Sequence, residues 1–274
     1  YRSTQTILDA ANAVISNNFD RKDKKLWTGI GAGEKILGFT GYSAHDEAQF
    51  IVDEIEALHS AGMPYNNIAV FYRTNAQTRA LEEIFIRAAL PYRLIGGTKF
   101  YERAEIKDVL AYLVVVANPA DALALRRILN VPKRGIGPAT EAQLQHFADQ
   151  NGITLREALR SVDELGFGPK VTTAIRSLST IIDEGVAKLN EGKVGDLVTY
   201  LLNATGYVDQ LRATRDPQDE ARAENVEEFL AVAREFDRSN VDGSIIDFLT
   251  EVALVAAADE LDDISGAVSL MTLH

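Results

Sequence analysis

The sequence predicts an α/β fold in which a partial, mainly parallel sheet is interrupted by a large all-helical insertion. Strand-like and helix-like segments alternate over about the first hundred residues, and only helical periods follow from Glu105 to Asp263. A strand-like run, AVSLMTLH, then begins at Ala267. Alternation of strands and helices is typical of parallel sheets. Because a lone strand must pair with another, we expect the last run to rejoin the first sheet.

The elements of the first part can be assigned in order. Ser3 is a helix-capping residue type and precedes apolar residues at helical spacing, from Ile7 to Ile15. Pro91 ends the last helix of this part, and two glycines follow its last strand. The predicted strands are Ile36–Tyr42, Ile68–Tyr72 and Tyr92–Ile95, and the predicted helices that follow the first one are Glu47–Leu58 and Ala76–Ala89.

These patterns predict the domain organisation. We expect residues 1–103 to form the first part of an α/β domain, residues 104–265 to form the helical insertion, and residues 266–274 to return to the sheet. The chain would cross between the two parts near residues 96–103 and again near residues 264–266.

Composition excludes several classes of protein. The 274 residues are 46% hydrophobic, enough for a core, and include no cysteine, so disulfide frameworks and thiolate sites are excluded. No apolar run approaches the roughly 18 residues that span a membrane. We therefore expect a cytoplasmic protein without membrane partners. The opening YRST and the closing SLMTLH both indicate a piece of a longer protein.

The charge is unevenly distributed. Residues 1–137 carry 17 Lys and Arg against 15 Asp and Glu, whereas residues 138–274 carry 11 against 25. Nucleic-acid phosphates would be repelled by most of the second half. Any phosphate contact should therefore come from the first half or from backbone amides.

One glycine-rich segment fits such a backbone contact. In VPKRGIGPAT, glycines flank Ile136, and a proline stands where a helix would begin. Glycine permits close approach to the backbone, and the free amides of a first helical turn favour an anion. The pattern resembles the helix-hairpin-helix motif, which holds DNA phosphates without reading bases. The candidate duplex contacts are Lys133, Arg134, Gly135, Ile136, Gly137 and Thr140. The alternative is an ordinary tight turn between helices.

A second segment repeats the pattern. LGFGPK begins 31 residues after RGIGPA and again places Gly-apolar-Gly-Pro before a helix. It lacks a basic residue before its glycines, which favours a purely structural turn.

Several motifs in order resemble those of the UvrD/PcrA/Rep superfamily I DNA helicases. YRSTQTIL resembles motif IV, IAVFYRTNAQTRALEE resembles motif IVa, and PYRLIGGTKFYERAEIKD resembles the segment that leads into the inserted 2B domain. VPKRGIGPAT resembles the glycine loop of 2B, and VSLMTLH resembles the start of motif V. The resemblance implies part of the second RecA-like domain, 2A, carrying the whole of 2B.

The resemblance also implies roles for individual residues. Tyr1 would stack on adenine and Arg2 would reach the γ-phosphate of ATP. The single-strand path would be lined by Arg73, Asn75, Arg79, Thr272 and His274. On the residues alone, Arg73 to Arg79 is equally consistent with a helix cap and solvated arginines. Phe100 and Tyr101 are candidates for base stacking, although such a pair more often packs between domains.

Parts of an ATP site are missing from this sequence. No segment matches the phosphate loop G-x-x-x-x-G-K-[ST], and the Asp-Glu pairs of IVDEIE and IIDEG lie in helical patterns. We expect ATP and Mg²⁺ to bind in the parent protein, with none bound by this chain alone and no ATPase activity of its own. The histidines have no metal-ligand spacing, so no metal site is predicted.

Two functions from different classes remain at this point. The first is part of an ATP-dependent 3′→5′ DNA helicase of the repair type, which contacts single-stranded DNA and a duplex junction. The second is a non-catalytic module that binds duplex or junction DNA or docks a protein. Repair or transcription proteins are the candidate protein partners, and the acidic region beyond residue 180 suits a protein better than DNA.

Overall fold

The computed structural model describes residues 2–18, 25–189, 192–259 and 266–272, with the backbone alone for 257–259. The chain divides into two compact units, residues 1–47 and 48–274. Among the described residues, we find no helix with the length and apolar character needed to cross a bilayer.

The first unit contains helix α1 (Gln5–Ile15), as its apolar spacing predicts. Thr4, rather than Ser3, occupies the capping position. The prediction of a strand at Ile36–Tyr42 is wrong, because residues 36–42 adopt no regular structure. Leu37 is 68% exposed. A strand needs a hydrogen-bonded neighbour, and the described part of this unit contains no other strand.

The helices after α1 confirm the predicted change from alternating elements to helices. The predicted helices Glu47–Leu58 and Ala76–Ala89 correspond to α2 and α3. The described helices are α2 (Ala44–Ser60), α3 (Thr78–Arg87), α4 (Ala104–Ala117), α5 (Ala122–Ile128), α6 (Pro138–Asn151), α7 (Leu155–Arg160), α8 (Pro169–Lys188), α9 (Val194–Thr205), α10 (Tyr207–Ala213), α11 (Pro217–Ser239) and α12 (Ile245–Asp259).

Three short strands form one parallel sheet: β1 (Ala69–Phe71), β2 (Tyr92–Ile95) and β3 (Val268–Met271). Their order is β1-β3-β2, so the last strand lies between the first two. Phe71 and Ile95 both lie opposite Met271. The predicted return of the chain to the first sheet is therefore confirmed, since all the described helices from α4 to α12 lie between β2 and β3 in sequence.

Two groups of buried apolar residues form separate cores. One lies at the sheet and includes Phe85, Tyr92, Val268 and Leu270. The other is built from the helices α4 to α12 and the turns between them. Leu270 lies in the central strand and is fully buried within the sheet core.

Leu270→Ala should lower the free energy of unfolding by about 2–5 kcal/mol, because it leaves a cavity in the middle strand of the sheet. Urea unfolding of the whole chain measures this change. Leu123→Ala is the matched control, since Leu123 is 81% exposed and its truncation should cost less than about 0.5 kcal/mol. Equal costs for the two variants would contradict the assignment of β3 as the buried central strand.

Candidate functional site

The carboxyl edge of the sheet brings together three of the residues predicted to contact single-stranded DNA. Arg73 follows β1 and Thr272 follows β3, and these two strands are neighbours. Asn75 begins the next turn and is exposed, as is Arg73. Gln77 holds this turn, because its side-chain oxygen accepts from the amides of Arg73 at 2.8 Å and Thr74 at 3.0 Å. The edge of an open α/β sheet is where ligands usually bind.

Arg79, which is also predicted to contact single-stranded DNA, is buried, unlike Arg73 and Asn75. Its side chain is 6% exposed, and its guanidinium donates to three carboxylates. Glu83 accepts at 2.8 Å from the next turn of α3, and Glu228 and Glu235 of α11 accept at 2.6 and 3.3 Å. Burial alone would lower the pKa of Arg79, but Glu83 and Glu228 outweigh it and raise the pKa. In this arrangement Arg79 therefore joins the α/β part to the helical part.

Arg103 forms a second polar connection between the same parts. It lies immediately before α4 and donates to the carbonyl oxygen of Thr98 at 3.1 Å, to Asn225 Oδ1 at 2.8 Å and to Thr78 Oγ1 at 2.8 Å. Asn225 in turn donates to Glu105 at 2.6 Å. Burial lowers the pKa of Arg103, and Glu82 and Glu105 oppose this shift. Sequence patterns do not predict this network, because Asn225 lies 122 residues from Arg103 and 120 residues from Glu105.

Phe100 and Tyr101 are buried rather than available for stacking on bases. They are 1% and 6% exposed, and their rings meet edge to face at 5.1 Å between centroids. The Tyr101 hydroxyl donates to Glu83 at 3.2 Å. This geometry agrees with the packing alternative.

The glycine turn, residues 133–140, leads directly into α6. Gly135 has φ of +79°, which glycine adopts without strain, and Gly137 precedes Pro138 at the start of the helix. A Cβ built on either glycine meets no atom within 4 Å. Ile136 between them is buried, 3% exposed, and anchors the turn to the helical core.

Four backbone amides of the glycine turn have no acceptor among the described residues. They belong to Gly135, Gly137, Ala139 and Thr140. Two of the others are used internally, since Asn130 Oδ1 accepts from the amides of Arg134 at 2.8 Å and Ile136 at 3.2 Å. The unused amides and the start of α6 together form a surface suited to an anion.

The two basic residues of the turn differ in their surroundings. Lys133 is exposed, and its backbone is held by Gln210 through a 2.8 Å bond from the Lys133 amide. The Arg134 guanidinium instead donates to the carbonyl oxygens of Ile128, Val131 and Pro132, at 3.0, 2.8 and 3.2 Å. It also donates to the hydroxyl of Tyr112.

The second glycine turn, residues 165–170, repeats the backbone geometry. Gly166 has φ of +66°, and Gly168 precedes Pro169 at the start of α8. Leu165 stands where the first turn has Arg134 and Ser161 where it has Asn130, so the guanidinium and the carboxamide that support the first turn are both replaced. This difference agrees with a structural role for the second turn.

The remaining predicted contacts lie near the ends of the sequence. Arg2 is exposed in the first unit, whereas Tyr1 and His274 lie outside the described residues.

Comparison with known proteins identifies related sequences. The model of the family described as the UvrD-like helicase C-terminal domain matches residues 1–274. The ATP-dependent DNA helicase UvrD1 of Mycobacterium tuberculosis is 46% identical over 294 residues, and the ATP-dependent DNA helicase PcrA of Staphylococcus epidermidis is 42% identical over 276. PcrA of Staphylococcus aureus is 41% identical. Each match covers 100% of this chain and 38% of the relative.

Arg79→Met should lower the free energy of unfolding by about 2–4 kcal/mol, because it removes the buried guanidinium that donates to Glu83, Glu228 and Glu235. Urea unfolding provides the measurement. Arg176→Met is the matched control, since Arg176 pairs with Asp163 on the surface, where both side chains are more than half exposed. Its effect should stay below about 1 kcal/mol. A cost for Arg79→Met no larger than the control would show that the cluster does not stabilise the fold.

The buried Tyr112 should make stability depend on alkaline pH. Burial raises its pKa from 10.0 to about 12, against the opposing charge of Arg134. The unfolded chain therefore releases this proton first, so the contribution is intact below pH 10 and is lost as the pH rises through 12. Between pH 9 and pH 11, wild type should lose about 1 kcal/mol more than Tyr112→Phe in urea unfolding. Identical losses would contradict the burial of this hydroxyl.

Proposed function

Since this chain belongs to the UvrD-like helicase C-terminal domain family, we propose that it is the region of an ATP-dependent DNA helicase that grips single-stranded DNA and holds the duplex ahead of it. The supporting observation is a family match that extends over every residue of the chain. The chain spans 38% of the length of its curated relatives, so the remaining parts of the motor would come from elsewhere in the parent protein.

Within this proposal, residues 1–103 and 266–274 belong to the RecA-like domain 2A, and residues 104–265 form the inserted domain 2B. The parallel order β1-β3-β2 supports this division, because 2A is completed only when the chain returns as β3. The connections near residues 96–103 and 264–266 would let 2B rotate against 2A and so regulate the motor.

ATP would bind in the parent protein at a cleft of which this chain supplies one wall. The exposed guanidinium of Arg2 suits a γ-phosphate, since its planar fork can donate two hydrogen bonds to phosphate oxygens. Tyr1 would stack on the adenine. Hydrolysis requires a phosphate loop and Mg²⁺ ligands that this sequence does not contain, so residues 1–274 alone should not hydrolyse ATP.

Single-stranded DNA would pass along the carboxyl edge of the sheet. Arg73, Asn75 and Thr272 lie there, and His274 follows two residues after Thr272. Arg79 would reach the strand only if it left Glu228 and Glu235 of α11. A DNA contact by Arg79 would therefore require a different orientation of 2B.

For the complete motor we propose movement in the 3′→5′ direction along the single strand.

The duplex would bind at the glycine turn, as in a helix-hairpin-helix motif. Phosphate oxygens would accept from the amides of Gly135, Gly137 and Thr140, and Lys133 would add charge. These contacts carry no base-edge information, so affinity should depend little on sequence. The negative second half of the chain would confine DNA to this face. Repair or transcription proteins remain candidate partners for the acidic surface.

Gly137→Ala should weaken duplex binding by about ten-fold, because a methyl group would stand between the backbone and an approaching phosphate. The fold should tolerate it, since Gly137 has φ of −92° and open space at Cβ. Fluorescence anisotropy with a labelled duplex at 0.1 M salt measures the change.

Gly168→Ala is the matched control, with φ of −63° and the same open space in the second turn. It should leave duplex affinity unchanged. Unchanged affinity for Gly137→Ala would contradict the phosphate assignment. Equal weakening by both variants would mean that the two turns contribute alike.

A further inference from the structure

We propose that Asn130, Arg134 and Tyr112 are positioning residues of the glycine turn, and that the Arg134 guanidinium acts on the chain's own carbonyls rather than on DNA. This inference rests on the proposed duplex binding at residues 133–140. It changes the role of Arg134, whose place in the sequence beside Lys133 predicts a direct phosphate contact.

Asn130 selects which amides of the turn remain available. One oxygen, Oδ1, accepts from the amides of Arg134 and Ile136, at 2.8 and 3.2 Å. The intervening and following amides, those of Gly135 and Gly137, have no acceptor among the described residues. A single carboxamide thus fixes two alternate amides inward and leaves their neighbours for a ligand.

Arg134 closes the loop that leads into the turn. Its Nη1 atom lies within 3.2 Å of three carbonyl oxygens, those of Ile128, Val131 and Pro132. These carbonyls lie at the end of α5 and in the loop that follows it. A guanidinium is suited to this task because it stays charged and carries several donors in one plane.

Tyr112 holds the guanidinium from the helical core. The residue is 3% exposed, its hydroxyl accepts from Arg134 Nη2, and the hydroxyl donates to the carbonyl of Val131 at 2.5 Å. The Arg134 guanidinium lies 5.9 Å from the centre of the Tyr112 ring. Arg134 is therefore bound on several sides by protein groups, and the residue is only partly exposed.

The salt dependence of duplex binding separates a positioning role from a phosphate contact. Each phosphate contact that is lost reduces the slope of log Kobs against log salt concentration by about 0.9. Arg134→Gln should weaken duplex binding by about ten-fold while the slope stays the same, because hydrogen bonds that shape the turn are lost and phosphate contacts are not.

Two other variants provide the comparison. Lys133→Gln should flatten the slope by about 0.9. Lys170→Gln, the control at the second turn, should change neither affinity nor slope. If wild type binds duplex without salt dependence, or if Lys133→Gln has no effect, the proposed duplex site itself fails, independently of Arg134.

When those controls give the expected results, the affinity and the salt slope of Arg134→Gln decide whether Arg134 is a positioning residue. A slope flattened as much as in Lys133→Gln would overturn the proposal and make Arg134 a phosphate contact. Unchanged affinity with unchanged slope would overturn it as well. Thermal unfolding checks that the variant is folded at the assay temperature.

Tyr112→Phe tests the same proposal where Arg134→Gln does not fold. It removes one hydroxyl, changes no charge at neutral pH and lies in the core away from any ligand. Duplex affinity should fall several-fold with no change in slope. Where Arg134→Gln does fold, the combined Tyr112→Phe and Arg134→Gln variant should lose less than the product of the two separate losses. Wild-type affinity in Tyr112→Phe, or independent effects of the two changes, would overturn the proposal.

Discussion

The position of β3 between β1 and β2 is the constraint on which the rest of the fold depends. The amide of Val268 donates to Pro91 at 2.9 Å and that of Ser269 to Ile68 at 3.1 Å, so the last described strand joins both earlier strands. Arg93 and its partner Ser269 are 176 residues apart in sequence. The cost of closing so long a loop grows only with the logarithm of its length. The inserted helices also form their own core, so the insertion between β2 and β3 is compatible with a stable sheet.

The connection between the sheet part and the helical part is polar, in contrast to the two apolar cores that it joins. Arg79 reaches Glu228 and Glu235, and Arg103 reaches Asn225, all on α11. Hydrogen-bonded ions of this kind are costly to bury and are stable only with their partners in place. Such an interface therefore favours one orientation strongly. The two parts can also separate, because water can solvate the charged groups on both sides. These properties would suit the rotation of the helical part that we propose above.

Local patterns in the sequence predicted most of the helices and strands, but they did not predict the contacts between residues that are far apart in sequence. The spacing of apolar residues predicted α2, α3, β2 and the series of helices that follows. The requirement that a strand pair with another strand predicted that the last strand returns to the sheet. The same reasoning failed at Ile36–Tyr42, where strand-like residues have no neighbouring strand among the described residues of their unit. Arg79 illustrates the limit for the site, since Glu228 and Glu235 lie 149 and 156 residues away. The glycines of the turn were evident, but no pattern indicated that Asn130 would accept from two of its amides.

Amide hydrogen exchange of the whole chain, with and without duplex DNA, tests most directly whether the helical insertion presents backbone amides to phosphates. Exchange at Gly135, Gly137 and Thr140 should become slower when duplex is added, and exchange at Gly166 and Gly168 should stay unchanged. If saturating duplex slows exchange elsewhere but leaves exchange at the first three amides unchanged, the proposed contact between these amides and phosphates is contradicted.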